Sequence, residues 1–285
     1  MKIGKRLYEL LQRVVKTRQK TVELTSTWKV FHTEFNVGKI IANRLHFSVL
    51  DLEKIRELSL HKLSIDPLFT VAEGDRIALS GITHNEKLSR YQVFANNVHV
   101  ARFANLPIKT PRGTTFTPGN TGLALMDGDF DLSFYESVVL IENGTVFANW
   151  SSLQLPMDCS ESLLMYRGHG SGIRTTYKIL KARPSTCKLF GFFDFDPAGL
   201  AMALSVGCNG IVLPDDIDEV LSDETLRRLN KIETFHKQWI KNSDYLNSNP
   251  SPHLTTIVEK IRKYEVALTQ EMLVRRNIKL KMYPV

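Results

Sequence analysis

Residues 188–199 read KLFGFFDFDPAG. The run LFGFF is short, apolar and aromatic, the composition of a strand buried on both faces of a parallel sheet. Asp194 follows it directly and Asp196 stands two residues further on. Pro197 suits the first position of a helix, and Gly199 permits close backbone approach. In open parallel sheets, ligands bind beyond the carboxyl ends of the strands, which places both aspartates at that edge. Two residues apart in extended chain, their side chains share one side of the strand end.

Working outward, runs at 137–141, 163–166 and 210–213 have the same texture. Each is followed by polar or Gly-rich residues and then usually by a helical stretch, the pattern of a parallel sheet covered by helices. Glu142 follows VVLI as Asp194 follows its own run. A single acid after a strand is most simply a turn or helix cap. Three acids at one edge repel one another and raise each other's pKa unless a cation offsets them. Oxygen ligands of this kind suit Mg2+ or Mn2+, so Glu142, Asp194 and Asp196 are the expected catalytic and metal-binding set.

Gly168, His169, Gly170, Ser171 and Gly172 follow LLMY and precede a helix bearing Arg174 and Lys178. Backbone N–H groups there can receive a phosphate. The spacing is GxGxG, without a following P-loop lysine, which disfavours a dinucleotide or nucleoside-triphosphate site. His169 and Arg174 are candidate DNA contacts; for His169 a purely structural turn remains open.

The formal charge of +7 and pI near 9.2 favour polyanionic partners. Three cysteines, Cys159, Cys187 and Cys208, lack CxxC spacing and read as reduced core thiols. No stretch has the roughly 20 apolar residues of a membrane span, and no secretion signal is evident. A cytoplasmic, nucleoid- or plasmid-associated bacterial protein is the expectation.

Residues 1–20 form an amphipathic basic helix, with Ile3, Leu7, Leu10, Leu11, Val14 and Val15 on one face. Packing within its own domain is the simpler reading, DNA or partner contact the other. Residues 50–102 resemble short helices followed by a strand, a winged-helix-like pattern. Within HNEKLSRY, residues 84–91, Lys87 and Arg90 are candidate DNA grips and Glu86 a candidate additional acid; a solvated helix face is the alternative. PRGTTFTPGNTG, residues 111–122, reads as a linker or long hairpin and marks the expected domain boundary. After a loop at 242–253, a last helix is expected over 255–275.

The motifs IENGTVF (141–147) and FFDFDPAG (192–199) resemble the paired motifs of the Toprim fold, a Glu after one strand and a DxD after a later one. The DPxG ending is similar to the A subunit of topoisomerase VI. The ENxxxF opening more closely resembles JetD, the nuclease of Wadjet plasmid-defence systems, and its relative MksG. JetD-like chains usually carry Gly-Asp-Ile-Asp at the second motif and a longer amino-terminal arm, so this chain resembles a shorter or divergent branch. ALTQEML, with Gln270 and Glu271, resembles a Leu-x-Gln-Glu stretch near the JetD carboxyl terminus, which makes Glu271 a further candidate acid.

The resemblance implies an α/β chain with three parts. These are a basic helical segment (1–49), a winged-helix-like DNA-binding domain (50–115), and a Toprim catalytic domain of Rossmann-like parallel sheet with carboxyl-terminal helices (123–285). It implies an Mg2+- or Mn2+-dependent DNA endonuclease acting on plasmid or circular double-stranded DNA. It further implies a homodimer working with a condensin-like SMC, kleisin and kite set (JetABC/MksBEF-like). Topoisomerase VI-like relatives cleave through a tyrosine, for which Tyr91 is the candidate nucleophile. Those relatives show paired tyrosines after the Arg, whereas Gln92 holds the second place here, favouring hydrolysis. A non-catalytic DNA-binding scaffold is the third reading, disfavoured by the presence of all three acids. A primase is disfavoured by the lack of zinc-binding cysteines.

Overall fold

The computed structural model describes residues 5–68, 96–103, 106–119, 121–248 and 252–285. Chain contacts divide the protein into two compact units, Met1–Val93 and Phe94–Val285.

The first unit runs α1 (Lys5–Lys16), β1 (Thr21–Glu23), α2 (Ser26–Phe35), β2 (Lys39–Ile41), β3 (Arg44–His46) and α3 (Val49–Leu63). The strands form an antiparallel sheet in the order β1-β3-β2. The apolar face of α1 is buried through Leu7, Leu11, Val14 and Val15, which share a core with Trp28, Phe31, Leu45 and Ile55. Ser48 and Asp51 form a reciprocal cap at the start of α3, with N–H to oxygen distances of 3.2 and 2.8 Å. Residues 69–95, which include the middle of the expected winged-helix module and the whole of HNEKLSRY, lie outside the described residues.

The second unit opens with β4 (Asn97–Ala101), a hairpin of β5 (Ile108–Thr110) and β6 (Gly113–Thr115), and β7 (Leu123–Met126). It continues β8 (Ser137–Ile141), α4 (Gly144–Ala148), β9 (Leu163–Tyr166), α5 (Gly172–Lys181), β10 (Lys188–Phe192), α6 (Pro197–Val206) and β11 (Gly210–Pro214). After α7 (Ile217–Ser222), α8 (Glu224–Leu229), α9 (Ile232–Asn247), α10 (Pro252–Tyr264) and α11 (Gln270–Arg275), it ends in β12 (Leu280–Pro284).

Seven strands form one mixed sheet in the order β12-β11-β10-β8-β9-β4-β7. The central four, β11, β10, β8 and β9, are parallel, and they are the four runs that stand out in the sequence. The expected wholly parallel sheet is corrected at both edges: β12 runs antiparallel to β11, and β4 antiparallel to both β9 and β7. The division between units also lies upstream of 111–122. Strand β4 already buries Val98, Val100 and Ala101 in the sheet, so the turn-rich stretch is a hairpin inside the second unit. Turn composition marks a chain reversal whether or not a domain ends there.

Helices cover both faces, because alternate residues of β8 enter different cores: Val138 and Leu140 one, Val139 and Ile141 the other. All four are fully buried. Each contributes about 1.5–3 kcal/mol on burial, anchoring the strand whose end carries Glu142. The cysteines are buried thiols, as expected. Among the described residues, no helix is long and apolar enough to cross a membrane.

The helix expected over 255–275 is two helices, α10 and α11. Glu265 takes a left-handed backbone (φ 52°), and Leu268 then pairs with Phe195, their N–H to O distances being 2.8 and 3.1 Å. No Gly or Pro announces this break; a tertiary pairing imposes it.

Candidate active site

The register of β8 on β10 opposes Ile141 to Phe192, so the residues leaving both strands emerge side by side. The ladder runs one step further, from Glu142 N–H to Phe192 O at 3.1 Å. Glu142 Oε2 then accepts from the Asp194 N–H at 3.3 Å. The two acids expected at the carboxyl edge are therefore neighbours there.

Asp196 caps α6. Its Oδ1 accepts from the Gly199 N–H at 2.7 Å and its Oδ2 from Gln238 Nε2 at 2.8 Å. The structural role weighed for an acid after a strand is thus real for Asp196, which is buried at 5% exposure. Gly199 is needed here, since a Cβ at that position would overlap the Asp194 carbonyl oxygen.

Gln270, fully buried at the start of α11, ties the two strand ends together. Its N–H donates to Asp194 Oδ1 at 2.8 Å, its Nε2 to Phe192 O at 2.7 Å, and its Oε1 accepts from the Asn143 N–H at 2.8 Å. Glu271 comes with it: Oε1 accepts from Asn143 Nδ2 at 2.5 Å, while Oε2 is buried with no hydrogen-bond partner. Asn143 also caps α4, accepting from the Thr145 N–H at 2.8 Å. The broken helix is what delivers these residues, because the Phe195–Leu268 pairing sets α11 against the DFD turn.

The charge is left largely uncompensated. Burial pushes the Asp194 carboxyl up to about 7, with the charges of Glu142, Asp196 and Glu271 adding to the shift. Burial likewise raises Glu142, against the opposing pull of the Arg167 guanidinium, while Asp196 and Glu271 push it further up. Asp196 is raised by burial and partly restored by its bonds from Gly199 and Gln238.

Arg167, directly after β9, places Nη2 3.3 Å from Glu142 Oε1, while its buried Nε is unpaired. The glycine loop follows. Gly168 has φ 93°, and a Cβ there would come within 2.8 Å of the Gly172 carbonyl carbon, so this position requires glycine. His169 and Arg174 are both exposed. Neither forms an ion pair with the acids among the described residues. Glu86, Lys87, Arg90 and Tyr91 lie outside the described residues.

A protein-family model described as "Domain of unknown function (DUF7281)" matches residues 95–282. The chain belongs to the DUF7281 family. The DUF7281 match begins one residue inside the second compact unit and contains Glu142, Arg167, Asp194, Asp196, Gln270 and Glu271. No curated protein matches the sequence.

Within this DUF7281 unit, the donor chemistry fits a hard divalent cation: the neighbouring carboxylates raise Glu142 and Asp194, and Glu271 has a buried oxygen lacking a partner. As placed, no three acidic, histidine or cysteine side chains among the described residues are drawn together to hold a metal ion. Asp196 is engaged with Gln238, and Glu142 with Arg167.

Two contributors escaped the sequence. Arg167 had a local signal, a cation at the end of a buried strand beside the glycine loop. Gln238 had none, since it reaches Asp196 from a helix 42 residues further along the chain.

Proposed function

We propose that this protein is a divalent-metal-dependent DNA endonuclease of Toprim type, hydrolysing phosphodiesters at the edge formed by Glu142, Asp194, Asp196 and Glu271. The observation that carries the proposal is the convergence of four carboxylates from three chain segments on the ends of two adjacent parallel strands, Asp196 buried and Glu142, Asp194 and Glu271 partly buried, with the neighbouring charges raising Glu142 and Asp194. A structural role would satisfy them with cations, yet among the described residues Arg167 is the one cation in an ion pair with this group, with the Lys231 charge also acting on Asp196.

Glu142, Asp194, Asp196 and Glu271 would hold the metal. When bound, Mg2+ or Mn2+ supplies positive charge that offsets the carboxylates and stabilises charge developing on a phosphodiester. The chain's own part is positional. Gln270 fixes Asp194 relative to both strand ends, and Asn143 orients Glu271. Arg167 supplies a guanidinium that can turn from Glu142 to a phosphate oxygen once the carboxylate is engaged elsewhere. On the JetD resemblance, the reading extends to circular plasmid DNA, a homodimer and an SMC, kleisin and kite partner set.

The test is supercoiled plasmid with Mg2+ or Mn2+, comparing the protein with Glu142→Ala, Asp194→Ala and Tyr91→Phe, with and without protease treatment of the products. Nicked or linear DNA that is free of attached protein, lost in both acidic variants and retained in Tyr91→Phe, is expected. Products trapped on protein and abolished by Tyr91→Phe would mean transesterification instead. No cleavage, even with SMC partners present, would leave a binding subunit.

A further inference from the structure

The chain's positive charge is unevenly placed. Residues 1–93 hold 16 Lys and Arg against 10 Asp and Glu, an excess of six out of the chain's seven. Part of this excess lines a cavity of about 470 Å³ within the first unit. Arg6 and Arg13 enter it from α1 and Arg44 from β3; Ser26 and Thr27 at the start of α2 complete the polar wall. Glu23 is the one acidic residue in the lining. No carboxylate forms an ion pair with Arg6, Arg13 or Arg44 among the described residues, and Arg44 donates only to Thr21 Oγ1, at 3.3 Å.

We propose that this arginine-lined cavity binds the sugar-phosphate backbone of nucleic acid, independently of the acidic edge. Guanidinium groups present forked donors matched to phosphate oxygens, and three of them without acidic partners keep that capacity available. Arg6 and Arg13 are seven residues apart, about 10 Å along one helix face, so their charges span more than a single phosphate. The apolar lining residues Val22 and Trp28 are buried and Leu10 is half-buried. The rim therefore offers no protruding apolar side chain to enter a lipid surface, which favours nucleic acid over a membrane.

The experiment is fluorescence anisotropy of a labelled 20-base-pair duplex with the full chain in EDTA, repeated across a salt series. Arg6→Ala/Arg13→Ala/Arg44→Ala is expected to bind at least about tenfold more weakly and to flatten the slope of log K against log salt by about two to three. Arg6→Lys/Arg13→Lys/Arg44→Lys should keep most of that slope, while Lys39→Ala, an exposed cation outside the cavity, should bind as the parent does. Unchanged circular dichroism and melting confirm that the variants fold. Parent-like affinity and slope in the alanine triple variant would overturn the proposal. So would an equal loss with Lys39→Ala, or arginine-dependent binding to phosphatidylserine vesicles but not to duplex. Because no divalent ion is present, failure here leaves the cleavage reading standing, and loss of cleavage leaves this binding intact.

Discussion

The two units differ most in charge. Residues 1–93 carry an excess of six positive charges, whereas residues 94–285 hold 21 Lys and Arg against 20 Asp and Glu. Among the described residues, the smaller unit has a cavity lined by arginines without acidic partners; the larger holds partly buried carboxylates whose charges raise Glu142 and Asp194 despite Arg167. Long-range attraction to a polyanion scales with net charge and needs no special geometry. Chemistry on a phosphodiester requires acids held close together, which repels that same polyanion until a cation binds. On the proposed reading, placing the two on separate units would let one chain carry both.

The strongest way to break this comparison is to remove one acid. Asp194→Asn is expected to lower plasmid cleavage by at least about 10²-fold, while leaving duplex affinity in EDTA within twofold of the parent. A parallel fall in affinity would show that the acidic unit also carries the binding.

A second substitution bears on how the acidic unit is held together. Gln270→Ala leaves the Asn143 N–H without its partner and the Phe192 carbonyl with only the Glu142 N–H. Urea unfolding should show a loss of about 2 kcal/mol, the cost of one buried donor left unpaired and one hydrogen bond removed from a shared acceptor. A loss below about 0.5 kcal/mol would mean that water replaces the side chain and that Gln270 does not position Asp194.

The smallest expected effect is on pH dependence, and it sharpens the contrast between the units. The folded pKa of Asp194 is raised from 3.8 to about 7. The protonated acid therefore favours folding fully below about pH 4, and the contribution is lost as pH rises through 7. Glu142 and Asp196 shift in the same direction. Metal-free protein should be less stable at pH 8 than at pH 5.5, by about 1–2 kcal/mol after allowance for partial solvent screening. Mg2+ should restore more stability at pH 8 than at pH 5.5, and Asp194→Asn should flatten the profile. Stability that rises with pH over this range would contradict an uncompensated acidic cluster.

Much of the second unit was legible because its central strands are apolar runs ending in acids. The runs at 137–141, 163–166, 188–193 and 210–213 became β8, β9, β10 and β11, with Glu142 and Asp194 where a parallel sheet exposes its ligand edge. The edges were harder to read. LKMYP in β12 has no apolar run, and β4 was assigned to a different domain, because strand composition does not say which sheet a strand will join.

The chain alone therefore determined which residues form the buried strands, which acids follow them, and where the positive charge accumulates. All three are properties of local order and composition. Only the tertiary structure decided that Leu268 would pair with Phe195, that the last long helix would break at Glu265, and that Gln270 and Glu271 would meet Asn143 and Asp194. It also decided that Asp196 would be shared between a helix cap and Gln238, and that three arginines from α1 and β3 would face one cavity. These contacts join residues distant in the chain, and their free energy comes from partners that no local pattern specifies.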